Sequence, residues 1–294
     1  MTSVQPESRR GVLVDVPALR AALAGPASPA LLDVRWALGD PNGRDHYREG
    51  HLPTAVYVDL DTELAAPPVP VQGRHPLPDV ADLQRAARRW GVDAGRPVVV
   101  YDNSGGMVAA RAWWLLRWAG VTDVRILDGG LAAWIAAGLE LYTGDSAPPP
   151  AGDVVLSPGH LPVLTADDAA DLARGAVLLD ARATERYRGD VEPVDPRAGH
   201  IPGARSAPTS ENLTDDGHFR AVEELRVRFA ELGASGDAPV GVYCGSGVNA
   251  AHQIAALAMA GVDAALFPGS WSAWSSDPDR PVAVGPQERP RRIP

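Results

Sequence analysis

Short apolar runs alternate along the chain with longer stretches of helical periodicity. The apolar runs have the length and composition of buried strands. They are LLDV at 31–34, VVVYD at 98–102, VLLD at 177–180 and VGVYC at 240–244. The longer stretches predict helices at 79–90, 109–120, 221–232 and 250–261. Because strands and helices alternate, we predict an α/β fold in which each parallel sheet carries helices on both faces.

Four motifs occur twice, in the same order. LLDVR, GHLPTA, PVVVYD and GGLAAW begin at 31, 50, 97 and 129, and they return as LLDAR, GHIPGA, PVGVYC and GSWSAW at 178, 199, 239 and 269. Such repetition indicates two copies of one domain. We predict a first domain over 11–141, an extended linker over 142–162 that contains three consecutive prolines, and a second domain over 163–294.

The two copies act as controls for each other. Features that both share are expected to be scaffold, such as the GH turns with His51 and His200 or the aspartates Asp33 and Asp180 of the LLDxR motifs. The largest difference lies at the end of one strand, where the first copy has Asp102 and the second has Cys244. This position is therefore the first candidate for chemistry.

Composition limits the possible functions. The formal net charge is −10, so a basic face for nucleic acid or an anionic membrane is not expected. All basic residues are arginine, which excludes lysine-based Schiff bases and the phosphate-binding P-loop. The single cysteine excludes an internal disulfide and CxxC metal sites. No apolar run spans a membrane and the first twenty residues lack a secretion signal, so we expect a cytoplasmic protein.

Cys244 opens the segment CGSGVNA, directly between a predicted strand and a predicted helix. Ligands bind at this end of open α/β sheets. Glycines let the loop turn its amides inward, and these amides and the helix N-terminus attract an anion and favour the thiolate. We expect Cys244 to be a nucleophile, with its product held in a cradle formed by Gly245, Ser246, Gly247, Val248 and Asn249.

With these motifs, the chain resembles the tandem-domain rhodanese family, the thiosulfate and 3-mercaptopyruvate sulfurtransferases. The resemblance covers both LLDxR segments, both GH turns, the DGG-to-Trp segment at 128–134 and the CGSGV loop. It implies that Cys244 carries sulfur as a persulfide, that the first domain with Asp102 is non-catalytic, and that no cofactor or metal is required. The donor would be a small anion, and the acceptor a thiol, cyanide or a thioredoxin-like protein.

The resemblance also implies roles for further residues. Arg186 matches the arginine that contacts the substrate anion, and Arg197 or Arg188 would be a second carboxylate-binding arginine. The loop has Gly245 and Ser246 where thiosulfate enzymes have a basic pair, which favours 3-mercaptopyruvate as donor. Asp61 and His75 match the residues that form a proton relay with the loop serine, Ser246. Asn249 departs from the threonine usual in the family.

Three alternatives stay open on the sequence. A thiosulfate-preferring rhodanese would share the same nucleophile. A sulfur-relay or binding module without turnover would keep the fold, although the intact Cys244 and Arg186 argue against it. A cysteine phosphatase also places a thiolate between strand and helix, but it needs an arginine six residues after the cysteine. Position 250 is alanine, which argues against that class.

Overall fold

A computed structural model describes residues 7–286, so residues 287–294 of the predicted second domain lie outside the described part. Within it, two separate sheets follow one another along the chain. All strand pairings within both sheets are parallel. The predicted α/β class with two parallel sheets is therefore confirmed.

The first sheet has five strands in the order β1-β5-β4-β2-β3. Its strands are β1 Leu13–Val14, β2 Ala30–Val34, β3 Val56–Val58, β4 Val98–Tyr101 and β5 Val124–Leu127. The helices of this half are α1 Glu7–Arg10, α2 Val16–Leu23, α3 Gly43–Glu49, α4 Leu60–Glu63, α5 Val80–Arg89, α6 Ala109–Trp118 and α7 Gly130–Ala136, with a 3₁₀ turn at Pro70–Gln72. The two helices predicted at 79–90 and 109–120 correspond to α5 and α6.

The second sheet has four strands in the order β7-β6-β8-β9. Its strands are β6 Val177–Asp180, β7 Arg205–Ser206, β8 Val240–Tyr243 and β9 Ala265–Leu266. The helices are α8 Ala166–Gly175, α9 Thr184–Arg188, α10 Val222–Glu231, α11 Asn249–Ala260 and α12 Ser270–Ser276, with a 3₁₀ turn at Thr209–Asn212. The counterpart of β1 is reduced to one parallel bridge between Val163 and Leu266.

Alternate residues of the central strands pack on opposite faces of each sheet. In β4, Val98 and Val100 join a large apolar cluster that continues into the second sheet, whereas Val99 and Tyr101 join a smaller cluster on the other face. Helices α6 and α11 supply much of the shared cluster and contact each other. They are buried on nearly all sides, as expected for apolar helices between two domains. The two halves therefore share one continuous core.

The shared motifs build the same scaffold twice. Arg35 binds Asp33 at 2.6 Å and donates to the Gly50 carbonyl at 2.7 Å. The matching Arg182 binds Asp180 at 2.6 Å and donates to the Gly199 carbonyl at 2.7 Å. These buried pairs fix each LLDxR strand to the following GH turn.

The two GH histidines lie in matching environments. His51 stacks on Tyr47 with ring centres 4.0 Å apart, and His200 stacks on Tyr187 at 3.7 Å. Each contacts the carbonyl of its tyrosine through Nδ1, at 3.0 and 2.8 Å. These contacts account for both histidines as scaffold.

The segment at 142–162, where a linker is predicted, runs along the first domain. Gly152 donates to the Arg88 carbonyl at 2.8 Å, and His160 donates through its amide to the Trp118 carbonyl at 3.0 Å. Val154 and Leu156 are buried in the shared core. No helix within residues 7–286 is long and apolar enough to cross a bilayer.

Candidate active site

Cys244 follows β8 directly and is 3% exposed. The Gly247 amide donates to its sulfur at 3.1 Å. Gly247 has a φ of +79°, and a β-carbon there would lie 2.5 Å from the Pro268 carbonyl oxygen, so only glycine fits this turn. The loop is also held from α12, since Trp271 and Ser272 donate through their amides to the carbonyls of Cys244 and Gly245. The sulfur is thus fixed at the carboxyl edge of the sheet.

Ser270 is a loop partner that the sequence analysis missed. Its hydroxyl accepts a hydrogen bond from the Cys244 amide at 3.0 Å and donates to the Phe267 carbonyl at 2.9 Å. Its φ is +51°, a strained value for a serine. The matching residue of the first copy is Gly130, with a φ of +54°. The repeat contained a signal for Ser270, because GG at 129–130 aligns with GS at 269–270 and so places a serine where the first copy has a glycine.

A chain of polar side chains connects the loop to the first domain. The Ser246 oxygen lies 2.8 Å from Nδ1 of His75, and Nε2 of His75 lies 3.1 Å from Asp61. The Trp36 indole donates to the same carboxylate at 3.1 Å. Because an ionised carboxylate only accepts, Nε2 of a neutral His75 carries the proton and Ser246 donates to Nδ1. The structure therefore brings together three of the residues predicted from sequence.

Burial lowers the pKa of His75 to about 4, and the nearby Arg111 guanidinium adds to this effect. Asp61 opposes the shift but is itself largely exposed. His75 is therefore neutral at physiological pH, the form that can accept a proton from Ser246.

Arg186 lies on α9 and faces the loop. Its Nη2 binds Glu192 at 2.6 Å and Asp195 at 3.2 Å, and both carboxylates are almost fully buried. Its Nη1 lies 3.4 Å from where a β-carbon of Gly245 would be. The substrate-binding role predicted for Arg186 is compatible with this position.

The other two predicted arginines have different surroundings. Arg188 is exposed at the end of α9. Arg197 donates to the carbonyls of Trp274, Ser275, Asp277 and Arg280 at 2.5–2.9 Å. All three of its guanidinium nitrogens are used: Nε and Nη2 bind carbonyls at the end of α12, and Nη1 binds the Arg280 carbonyl beyond it. These contacts give Arg197 a structural role, and we therefore leave it out of the proposed substrate site.

Arg111 is a second residue that the sequence analysis missed. It lies in the apolar helix α6 and is fully buried. Its guanidinium donates to the carbonyls of Leu64, His75 and Pro76 and, across the domain boundary, to Gly247 at 3.2 Å. Burial lowers its pKa to about 10, so it stays charged at neutral pH. The signal available in the sequence was a charged residue, Arg111, inside the otherwise apolar run AARAWW.

The first domain shows what such a loop binds. Asp102 occupies the position of Cys244, and its carboxylate accepts hydrogen bonds from the amides of Ser104, Gly106, Val108 and Ala109 at 2.8–2.9 Å. The amides of this loop thus surround an anion. Within residues 7–286, no group of three or more His, Cys, Asp or Glu side chains is arranged to hold a metal ion.

The comparisons with known proteins agree with this geometry. The model of the rhodanese-like domain matches residues 16–137 and again 165–277. A Mycobacterium tuberculosis protein provisionally named a thiosulfate sulfurtransferase is 48% identical over 95% of this chain and 99% of its own length. A Pseudomonas aeruginosa protein provisionally named a 3-mercaptopyruvate sulfurtransferase is 50% identical over 87% of this chain and 92% of its own.

A solved structure supports the same assignment. An Escherichia coli protein described as a 3-mercaptopyruvate sulfotransferase with the rhodanese fold superposes with a TM-score of 0.78 and 33% identity. The match covers 88% of this chain and 98% of the other. The chain therefore belongs to the rhodanese-like family, as a tandem-domain sulfurtransferase.

Proposed function

We propose that this sulfurtransferase takes sulfur from 3-mercaptopyruvate, carries it as a persulfide on Cys244, and passes it to a thiol or cyanide. The observation that carries the choice of donor is the hydrogen-bonded chain from Ser246 through His75 to Asp61. A carbon leaving group needs a proton as the carbon–sulfur bond breaks, whereas sulfite does not. The Cys244 loop also lacks the basic pair expected for thiosulfate.

In the first step the Cys244 thiolate attacks the donor sulfur, and the carbon–sulfur bond breaks. Its electron pair moves onto the three-carbon fragment, which leaves as the enolate of pyruvate. The proton of the transferred S–H group is acidic, and Ser246 is placed to relay it to the enolate carbon. The products are pyruvate and a Cys244 persulfide anion. His75 orients the Ser246 hydroxyl and receives its proton transiently.

The loop then stabilises the persulfide. Gly247 already donates to the Cys244 sulfur, and the amides of Gly245, Ser246, Val248 and Asn249 complete the cradle that we propose. Fixed amide dipoles at a helix N-terminus favour a negative charge without reorganisation. Asn249 is the first residue of α11, and Val248 occupies the N-cap position before it.

In the second step an acceptor thiolate or cyanide attacks the outer sulfur. The sulfur–sulfur bond breaks and the Cys244 thiolate is regenerated, as in a ping-pong mechanism. A small thiol or a thioredoxin-like protein would serve as acceptor. We propose a cytoplasmic location, because thiol acceptors are kept reduced there.

The test compares 3-mercaptopyruvate and thiosulfate side by side. We expect a higher kcat/KM for 3-mercaptopyruvate. Ser246→Ala and His75→Gln should lower that value on the order of 100-fold, the usual effect of losing a proton relay, and lower the thiosulfate value less. Ser104→Ala is the matched control, because Ser104 occupies the same loop position after Asp102 and should change neither value.

The pH profile sharpens this test. Since the pKa of His75 is lowered to about 4, titration of His75 should leave turnover unchanged from pH 8 to 5 and reduce it as the pH falls through about 4. A thiosulfate kcat/KM equal to or above that for 3-mercaptopyruvate would favour the thiosulfate-preferring alternative. Absence of turnover with both donors would favour the relay module.

A further inference from the structure

Arg111 carries a positive charge into the apolar core between the two domains. It lies on α6 and is fully buried. Its hydrogen bonds go to backbone carbonyls, those of Leu64, His75, Pro76 and Gly247. Within residues 7–286, no carboxylate forms an ion pair with it. A buried charge is costly unless an opposite charge lies nearby, so this cation calls for an anion that the carboxylates of the core do not supply.

Gly247 lies between this guanidinium and the Cys244 sulfur. Nη1 of Arg111 donates to the Gly247 carbonyl at 3.2 Å, and the Gly247 amide donates to the sulfur at 3.1 Å. Burial lowers the pKa of Arg111 to about 10, and negative charge on Cys244 opposes that change. A cation and an anion buried this close stabilise each other strongly, because no water screens them. The guanidinium is thus placed to balance a negative charge on the sulfur.

The other cations beside the loop are already balanced. Three arginines pair there with three carboxylates whose side chains are buried, namely Arg74, Arg182 and Arg186 with Asp180, Glu192 and Asp195. The side chains of Arg74 and Arg186 are also 28% and 19% exposed, so water and salt weaken their fields. This group of ion pairs carries no net charge that would balance an anion on the sulfur.

His75 does not supply the missing charge either. Burial and the charge of Arg111 lower the pKa of His75 to about 4. Asp61, which favours the imidazolium, is 59% exposed at its side chain. The imidazole is therefore neutral at physiological pH, and a neutral ring does not balance a thiolate.

The two matching loops balance an anion in different ways. Asp102 accepts hydrogen bonds from four amides, and the matching helix residue is the neutral His252. Within residues 7–286, the Cys244 sulfur accepts one amide hydrogen bond, from Gly247, and the matching helix residue is Arg111. A cation is therefore present where fewer amides reach the anion.

We propose that Arg111 is the counter-cation of the Cys244 thiolate and of the persulfide anion that sulfur loading forms there. The thiolate and not the thiol attacks the donor, so the first domain supplies a charge that the nucleophile of the second domain needs. This inference rests on the proposed function only in taking Cys244 as the nucleophile, and it is independent of the donor.

The test measures the thiolate directly, without donor or acceptor. Cys244 is the single cysteine, so alkylation of the full chain by uncharged iodoacetamide, followed by intact mass, reports on this thiol alone. Rates are measured between about pH 5 and pH 9. Arg111→Gln should slow alkylation at neutral pH at least about tenfold and move the pH–rate profile to higher pH, because losing a close opposite charge shifts such a titration by about 1–3 pH units.

Two further variants separate charge from packing. Arg111→Lys should recover part of the alkylation rate, since the positive charge returns with fewer hydrogen bonds. Arg85→Gln, the same change at an exposed arginine on α5, is the matched control and should leave the profile unchanged. An unchanged profile in a folded Arg111→Gln variant, or an equal loss in Arg111→Lys, would overturn the proposal.

Two measurements apply even where Arg111→Gln does not fold. His75→Gln should leave the alkylation profile at its wild-type position, because His75 is neutral in this pH range. A tenfold loss in His75→Gln would identify an imidazolium as the partner and contradict the role of Arg111. The wild-type profile should also be the same at low salt and at about 1 M NaCl, where exposed charges are screened over about 3 Å. A shift to higher pH in salt would assign the stabilisation to the partly exposed arginines instead.

A separate experiment keeps the two proposals distinct. A wild-type enzyme that gains one sulfur atom from a donor by intact mass, together with an Arg111→Gln variant whose alkylation is unchanged, contradicts only the role of Arg111. A wild-type enzyme that gains no sulfur from either donor contradicts the proposed function, while the alkylation profiles still decide whether Arg111 and the thiolate are paired.

Discussion

The two halves of the molecule contain a matching loop after a central strand, but the side chain that the loop surrounds is different in each half. In the first domain, Asp102 places its carboxylate among four backbone amides. In the second, Cys244 places its sulfur at the matched position, with the Gly247 amide 3.1 Å away. A persulfide extends from its β-carbon by two atoms, as an aspartate carboxylate does. The Asp102 loop therefore resembles the loaded state that we propose for Cys244.

Comparison of the two loops distinguishes the structural features that both domains share from the side chain that differs between them. The strand end, the glycine turn and the helix N-terminus occur in both domains and form the anion cradle. In the first domain the chain's own carboxylate fills that cradle permanently. In the second, a thiol leaves space for a transferable atom. The two loops thus differ in one side chain and in the groups that surround it.

The surrounding groups also differ in charge. Arg111 and His252 occupy matching positions in α6 and α11, the third residue of AAR and of AAH. Arg111 reaches Gly247 in the loop of the other domain. The His252 ring lies 3.9 Å from the β-carbon position of Gly106 in the Asp102 loop, and burial lowers the pKa of His252 to about 4. The thiol loop is thus supported by a cation, and the carboxylate loop by a neutral ring.

The largest effect on sulfur transfer is expected when the loop of the second domain receives the aspartate of the first. Cys244→Asp should abolish sulfur transfer, as should Cys244→Ser, because no thiolate remains. The aspartate should also be more stable than the serine variant by about 1–3 kcal/mol, since its carboxylate gains charge-assisted bonds to the amides. Activity assays and thermal unfolding measure both effects. A less stable Cys244→Asp would show that the two cradles are not equivalent.

Removing the cation from the thiol loop should have the next largest effect. Arg111→Gln should reduce kcat/KM for the donor about tenfold, because Arg111 holds the carbonyls of His75 and Gly247 on either side of the Ser246 contact. Arg111→Lys should rescue it partly. The mirror variant His252→Gln is the control and should leave kcat unchanged while lowering the melting temperature slightly. Equal losses of kcat in the two variants would remove the distinction between the loops.

Much of the fold could be predicted because it follows from local pattern. The repeated LLDxR, GH and strand motifs fix where each parallel strand ends, and parallel strands end at the same sheet edge. Cys244 and Ser246 lie two residues apart in one motif, so their positions followed directly. Asp61 and His75 came from the family resemblance, and the structure places both beside Ser246. Their roles stay predictions.

Contacts across the domain boundary could not be predicted in the same way. From the first domain, Arg74 comes within 3.2 Å of the position of a Gly245 β-carbon, and Arg111 donates to the Gly247 carbonyl. No local spacing in the sequence encodes that approach. Arg197 illustrates the opposite case. The family resemblance suggested a substrate contact, but carbonyls at the end of α12 and just beyond it accept hydrogen bonds from all three of its guanidinium nitrogens. Whether an arginine binds a substrate or nearby carbonyls depends on how the chain packs around it, which a sequence motif does not show.

The smallest effect on activity is expected from a substitution in the Asp102 loop of the first domain. Asp102→Asn removes the charge from the four-amide cradle and turns an amide N–H₂ group toward backbone donors. It should destabilise the protein by about 1–3 kcal/mol, within the range for a buried polar group that loses its partners. Sulfur transfer per folded molecule should stay at the wild-type value, because Asp102 contacts no residue of the proposed site. Thermal unfolding and steady-state kinetics measure the two effects, with the exposed Asp82→Asn as control. Loss of turnover in a folded Asp102→Asn enzyme would show that the first loop takes part in catalysis.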